Sequence, residues 1–170
     1  MSEPVVTRLM VLSCIPTASA ISFRTIGLIY CVPFSRKSFC LLTISEPTLI
    51  DPVFFKSVVL LTHHSSDESI GLVLNHPTKI HLNEILNNIP LSDFPVYIGG
   101  PVEKNSIHFI HTLGDLIPNT KKVIDGLYWG GDFDAILSLM SKNEVTKNDI
   151  RFFAGYSGWG ENQLKKEIRE

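Results

Sequence analysis

The run Val58-Val59-Leu60-Leu61, set between Ser57 and Thr62, puts apolar side chains on both faces of any extended segment it forms. A strand with one face in solvent alternates apolar with polar residues, so this one needs cover on both sides and a central place in a sheet. It is far too short for a membrane span, which takes about 20 apolar residues. Residues 65–69 are polar and read as a turn, and 70–75 return as a second apolar strand. The two segments predict a hairpin with a loop of several residues.

Shorter elements surround this hairpin. Residues 39–44 read as a strand stopped by Glu46-Pro47, because proline has no N–H for a ladder. Asp51-Pro52 predicts an N-cap and a first helical position, hence one helical turn over 51–55. Leu82, Ile85, Leu86 and Ile89 have helical spacing and predict a helix over 81–89, closed by Pro90. Residues 95–98 form a strand stopped by Gly99-Gly100-Pro101. Residues 107–113 alternate Ile107, Phe109 and His111 with His108, Ile110 and Thr112, bulk on both faces as in an interior strand. Asp125-Gly126 marks a turn within 123–129. Asp132 is placed to cap a helix with Phe133, Ile136, Leu137 and Met140 on one stripe. Residues 150–154 form a last strand, and 155–160 are expected to turn the chain into an exposed helix over 161–170. Runs of strands with about three short helices define an α+β class in a single compact domain.

At 170 residues with 44% hydrophobic content, the chain suffices for one core. Four of its 15 basic residues (Arg8, Arg24, Arg36, Lys37) and one of its 17 acidic ones (Glu3) precede position 39, leaving 11 against 16, a net of -5. Such a surface opposes direct nucleic-acid binding, which depends on basic groups releasing phosphate counterions, and no helix-turn-helix pattern appears. Cys14, Cys31 and Cys40 all lie in the first forty residues, which rules out a disulfide or zinc-thiolate framework in the body of the domain. Residues 1–38, poor in acids, have weak features of a secretory or organellar presequence. They read foremost as a weakly ordered extension or a mis-assigned start.

No catalytic or metal constellation stands out, and no cofactor is expected. His63 and His64 point to opposite faces of one strand, as do His108 and His111, and no spacing pairs histidines on one face. Gly155-Tyr156-Ser157-Gly158-Trp159 occupies an expected strand-to-helix turn, the setting of a hydrolase nucleophile elbow, but the fifth position is not glycine. Gly158-Trp159-Gly160 fails the dinucleotide fingerprint in the same way. What remains is a set of glycine turns beside aromatic residues and one guanidinium: Gly99, Gly100, Asp125, Tyr128, Trp129, Arg151, Tyr156, Ser157 and Trp159. Bordering one pocket, they suit a planar or carboxylated ligand. The alternative is a hydrolase using Ser157 or a histidine with Asp115, Asp125 or Asp132.

Several strings are specific beyond their chemistry. They are Leu41-Leu42-Thr43-Ile44-Ser45-Glu46-Pro47, Gly71-Leu72-Val73-Leu74-Asn75-His76-Pro77-Thr78, Val96-Tyr97-Ile98-Gly99-Gly100-Pro101-Val102, Asp125-Gly126-Leu127-Tyr128-Trp129-Gly130-Gly131-Asp132 and Arg151-Phe152-Phe153-Ala154-Gly155-Tyr156-Ser157-Gly158-Trp159-Gly160. In this order they resemble the YqgE/AlgH family over about residues 39–170. The resemblance implies an α+β fold with a mixed, mostly antiparallel, bulged sheet and a bacterial, cytoplasmic setting. It implies no established enzymatic activity, only the suggestion of transcriptional regulation carried by the family's name. A non-enzymatic regulatory module with an unknown protein or small-molecule partner, and no membrane, is therefore expected. The chain departs from the family in Cys40 before the first strand and in lacking a tryptophan-containing tail after Glu170.

Overall fold

The structure, a computed structural model, describes residues 42–44 (backbone only), 56–86 and 93–164. Among the described residues nine strands form one sheet: β1 (Leu42–Ile44), β2 (Val58–His64), β3 (Ser69–Val73), β4 (Pro77–His81), β5 (Pro95–Ile98), β6 (Val102–His111), β7 (Lys121–Ile124), β8 (Leu127–Trp129) and β9 (Ile150–Trp159). Two α-helices, α1 (Leu82–Ile85) and α2 (Phe133–Ser141), and a 3-10 turn at Gly114–Leu116 complete it. The main path runs β1-β2-β3-β9-β6-β8-β7, with β4 on β5 and β5 on β9. Only the β5–β9 pair is parallel, and register shifts interrupt four of the pairings, so the sheet is mixed, mostly antiparallel and bulged.

Phe152 and Phe153, adjacent in β9 and both fully buried, show why the interior has two parts. Alternation sends them to opposite faces. Phe152 joins Phe94, Val96, Phe109, Ile117, Ile136, Met140 and Ile150 under α2. Phe153 joins Leu60, Leu72, Ile110, Val123 and Leu127. This second cluster draws residues from β2 and β3 and from β7 and β8, near opposite ends of the strand path, so the sheet curls towards a barrel around it. Burying each phenylalanine contributes about 1.5–3 kcal/mol. Helix α2 starts as its sequence predicts: the Asp132 carboxylate accepts from the N–H groups of Asp134 at 2.9 Å and Ala135 at 3.3 Å.

Three expectations are corrected. Residues 155–160 do not turn the chain, because β9 runs on to Trp159, and β6 likewise begins at Val102 rather than 107. The helix expected over 81–89 is confined to Leu82–Ile85, with Leu86 already extended. Tertiary pairing takes the preceding residues instead: His81 pairs with Pro95, and the Leu82 N–H donates to the Phe94 carbonyl at 2.9 Å. The described residues hold two α-helices, where about three were expected, and most of the third, expected over 161–170, lies outside them. The strand start at 39–41, the helical turn at 51–55, the stop at Pro90, the helix over 165–170 and the extension 1–38 lie outside the described residues.

The glycines have a specific task where β5 leads into β6. Ala154 pairs with Ile98 of β5 and with Ile107 of β6, so these two strands lie on opposite edges of β9. Residues 99–101 are their only connection and must cross the β9 backbone. A Cβ on Gly99 would fall 2.1 Å from the Gly155 carbonyl oxygen, and one on Gly100 would fall 2.2 Å from the Tyr156 carbonyl carbon. Gly155, at φ +69 and with its own Cβ position 2.6 Å from the Val102 carbonyl oxygen, completes the crossing from below. Only three residues without a Cβ let one backbone pass so close over another.

Candidate functional site

The left-handed backbone at Gly155, φ +69, also resets side-chain alternation along β9. Phe153 and Tyr156, three apart, would point to opposite faces of a regular strand, yet both pack in the second cluster. Tyr156 thereby meets His108 edge-on, ring centroids 5.3 Å apart at 74°. His108 lies nearly parallel to Trp129 of β8, at 6.4 Å and 26°. Over the Trp129 ring sits the Lys121 ammonium of β7, 5.2 Å from the centroid. On the same face the Arg151 guanidinium lies 4.7 Å from the Tyr97 ring centroid and donates to the Leu74 carbonyl at 3.3 Å. Tyr97, His108, Trp129, Arg151 and Tyr156 are all half-buried, forming a cationic and aromatic border to the second cluster.

Burial shapes the charges here. It pushes the His108 pKa below the ordinary histidine value, with the Glu103 carboxylate opposing the shift, so the ring is neutral near pH 7. The His108 Nε2 lies 2.9 Å from the Ser106 hydroxyl. Burial likewise lowers the Arg151 pKa, opposed by Tyr97.

The structure divides the residues the sequence singled out. Trp129, Arg151 and Tyr156 share the face just described. Tyr128 points away from it, stacking on His111 at 5.7 Å and 17°. His111 is fully buried with its ring nitrogens engaged: Nδ1 accepts from the Leu113 N–H at 3.3 Å, so Nε2 carries the proton towards the Gly130 carbonyl at 3.1 Å and Thr120 Oγ1 at 2.9 Å. Its pKa is lowered by burial, against the pull of the Gly130 carbonyl. Gly99 and Gly100 are spent on the strand crossing. Ser157 is fully buried inside β9, where its hydroxyl donates to the Gly99 carbonyl at 3.3 Å, so the strand-to-helix setting assumed for a nucleophile is absent. Asp125, on the exposed hairpin turn, pairs with Lys122, whose hydrogen bond and charge hold its carboxyl below the usual range. Trp159 is half-buried opposite Ser69 on the β3 side.

Tyr97, His108 and Lys121 belong to this face although the sequence did not nominate them. His108 shares the alternation of Ile110, which is a readable signal. Lys121 is not readable: regular pairing about Asp125-Gly126 would put Lys122 opposite Trp129, and a register shift between Lys122 and Ile124 puts Lys121 there. A separate polar cluster joins Ser57, buried, to His76, with Oγ to Nε2 at 3.2 Å. Asn75 beside it accepts from the Val58 N–H and donates to the Lys56 carbonyl, both at 2.8 Å. Among the described residues, no group of three or more His, Cys, Asp or Glu side chains is arranged to hold a metal ion, and no helix is long and apolar enough to cross a membrane.

Residues 42–170 match the model of a family described as AlgH-like. A UPF0301 protein of Chlorobaculum parvum is 36% identical over 129 residues, spanning 76% of this chain and 69% of the relative. A UPF0301 protein of Bacteroides fragilis is 44% identical over 128 residues, spanning 75% of this chain and 65% of the relative. The solution structure of the AlgH protein from Pseudomonas aeruginosa is similar with a TM-score of 0.64 at 24% identity, covering 82% of this chain and 77% of that one. A crystal structure from Corynebacterium diphtheriae has a TM-score of 0.60 at 21% identity, covering 80% and 74%. Both structures share the fold.

Proposed function

The chain belongs to the AlgH-like family, and from that premise we propose that it is a non-enzymatic recognition module acting through a small-molecule or protein partner. The observation that carries this reading is the convergence of Tyr97, His108, Trp129, Arg151 and Tyr156, from four strands and distant segments, on one half-buried face. Rings with fixed positions and nearby cations bind without needing a nucleophile or base. The acidic balance beyond position 39 supports regulation through such a partner rather than through direct contact with DNA.

The test is a thermal-unfolding screen of the protein against nucleotides, organic acids and other metabolites, with affinity capture in parallel. A ligand at about 100 times its Kd adds roughly 2.7 kcal/mol, several degrees in a domain of this size. The expected result is a shift, or a captured partner, lost with both Arg151→Ala and Trp129→Ala. Binding insensitive to either substitution argues against this face.

One observation favours a second reading as a hydrolase, the Ser57 hydroxyl within hydrogen-bond reach of His76 Nε2. In that reading a fluorophosphonate probe labels Ser57, and His76→Gln suppresses the labelling. A folded protein left unlabelled removes it.

A further inference from the structure

We infer, resting on the binding reading above, that Trp129 is a stacking platform for a planar aromatic anion whose charge is taken by Lys121. Four strands build the platform. Trp129 comes from β8, His108 from β6, Tyr156 from β9 just past Gly155 and Lys121 from β7. The indole packs against the second hydrophobic cluster, so its orientation is set by the core while the residue stays half exposed. His108 lies within 26° of parallel to it, and Tyr156 stands edge-on to His108, so the ring nearest the indole is itself held in place.

The sign of the ligand follows from Lys121. The ammonium is exposed and rests over the indole. An exposed cation–π contact is weaker than a charge-assisted hydrogen bond to a carboxylate or phosphate. An arriving anion therefore draws the ammonium to itself, and the indole face accepts the plane of the ligand. A cationic ligand would instead compete with Lys121 for the ring and be repelled by it. His108, neutral near pH 7, adds ring surface without charge, and Glu103, the acid acting on it, is exposed on the β6 bulge.

The chain has two tryptophans, so Trp159→Phe leaves Trp129 as the sole indole reporter. That variant is titrated with adenosine 5′-monophosphate and 1-naphthoate, and with their neutral counterparts adenosine and 1-naphthamide, following indole emission. Saturable quenching by the anions is expected, with the neutral compounds binding about tenfold more weakly. Adding Lys121→Gln should bring the anions down to the affinity of the neutral compounds and leave the latter unchanged. Absence of saturable quenching by either anion, in a variant that still unfolds cooperatively, overturns the platform. Equal binding of charged and neutral forms overturns the role of Lys121. If the platform fails while the metabolite screen returns a ligand, or affinity capture a partner, dependent on Arg151, the wider reading stands without it; if both are also empty, both readings fall.

Discussion

Gly155 and Gly126 both have positive φ, +69 and +78, but their surroundings differ. Nothing lies within 4 Å of a Cβ built on Gly126, whereas one on Gly155 meets the Val102 carbonyl oxygen at 2.6 Å and the Gly100 carbonyl oxygen at 2.9 Å. Gly126→Ala should therefore cost only the left-handed strain, about 1 kcal/mol. Gly155→Ala adds a backbone clash at the crossing and should cost about 3 kcal/mol or more. Urea unfolding of the two variants measures the difference, and equal losses would refute the crossing as the reason for the glycine. Both glycines are visible in the sequence as turn formers. Only the strand passing over Gly155 separates a turn glycine from one on which the topology depends.

At the scale of elements, β9 is the last strand among the described residues and the central one in the sheet. It pairs with β3, β5 and β6, and it supplies Phe152 to one cluster and Phe153 to the other. No neighbouring strand replaces those hydrogen bonds, and both hydrophobic clusters lose a fully buried phenylalanine with it. A chain ended at Asp149 should lose its cooperative urea transition, read by circular dichroism. A sharp transition in that chain would show that the remaining strands hold together without β9. The sequence marks residues 150–154 as a strand by their apolar run. The following Gly155-Tyr156-Ser157-Gly158 looks like a turn because glycine and serine usually make one, and pairing with β3 overrides that local preference.

For the whole molecule, the two half-buried to buried imidazoles set a pH dependence. His108 and His111 both titrate below the ordinary histidine value because burial penalises the charged ring. The unfolded chain takes up protons at these positions below about pH 6.5, while the native state resists them. Their contribution to stability is complete above that pH and is lost as pH falls towards the depressed native values. The urea midpoint should thus hold steady from about pH 8 to 7 and fall as pH drops below about 6.5, with a shallower fall in His108→Phe, which keeps a ring over Trp129. An unchanged slope in that variant would assign the fall to other groups. Asp93 and Asp125, held low by Lys147 and Lys122, act only below about pH 4 and are exposed to screening. By itself the sequence determined the local and compositional facts: the buried hairpin of β2 and β3 from its continuous apolar run, the cap of α2 from Asp132, the absence of cysteine chemistry beyond position 40, the family, and the aromatic residues from which a binding face is drawn. The tertiary structure alone decided which of those residues meet. The positive φ at Gly155, the β6 bulge opposite it and one register shift beside Val123 choose the face each side chain occupies, and all three depend on how strands pair with one another, which a period read along one segment does not contain.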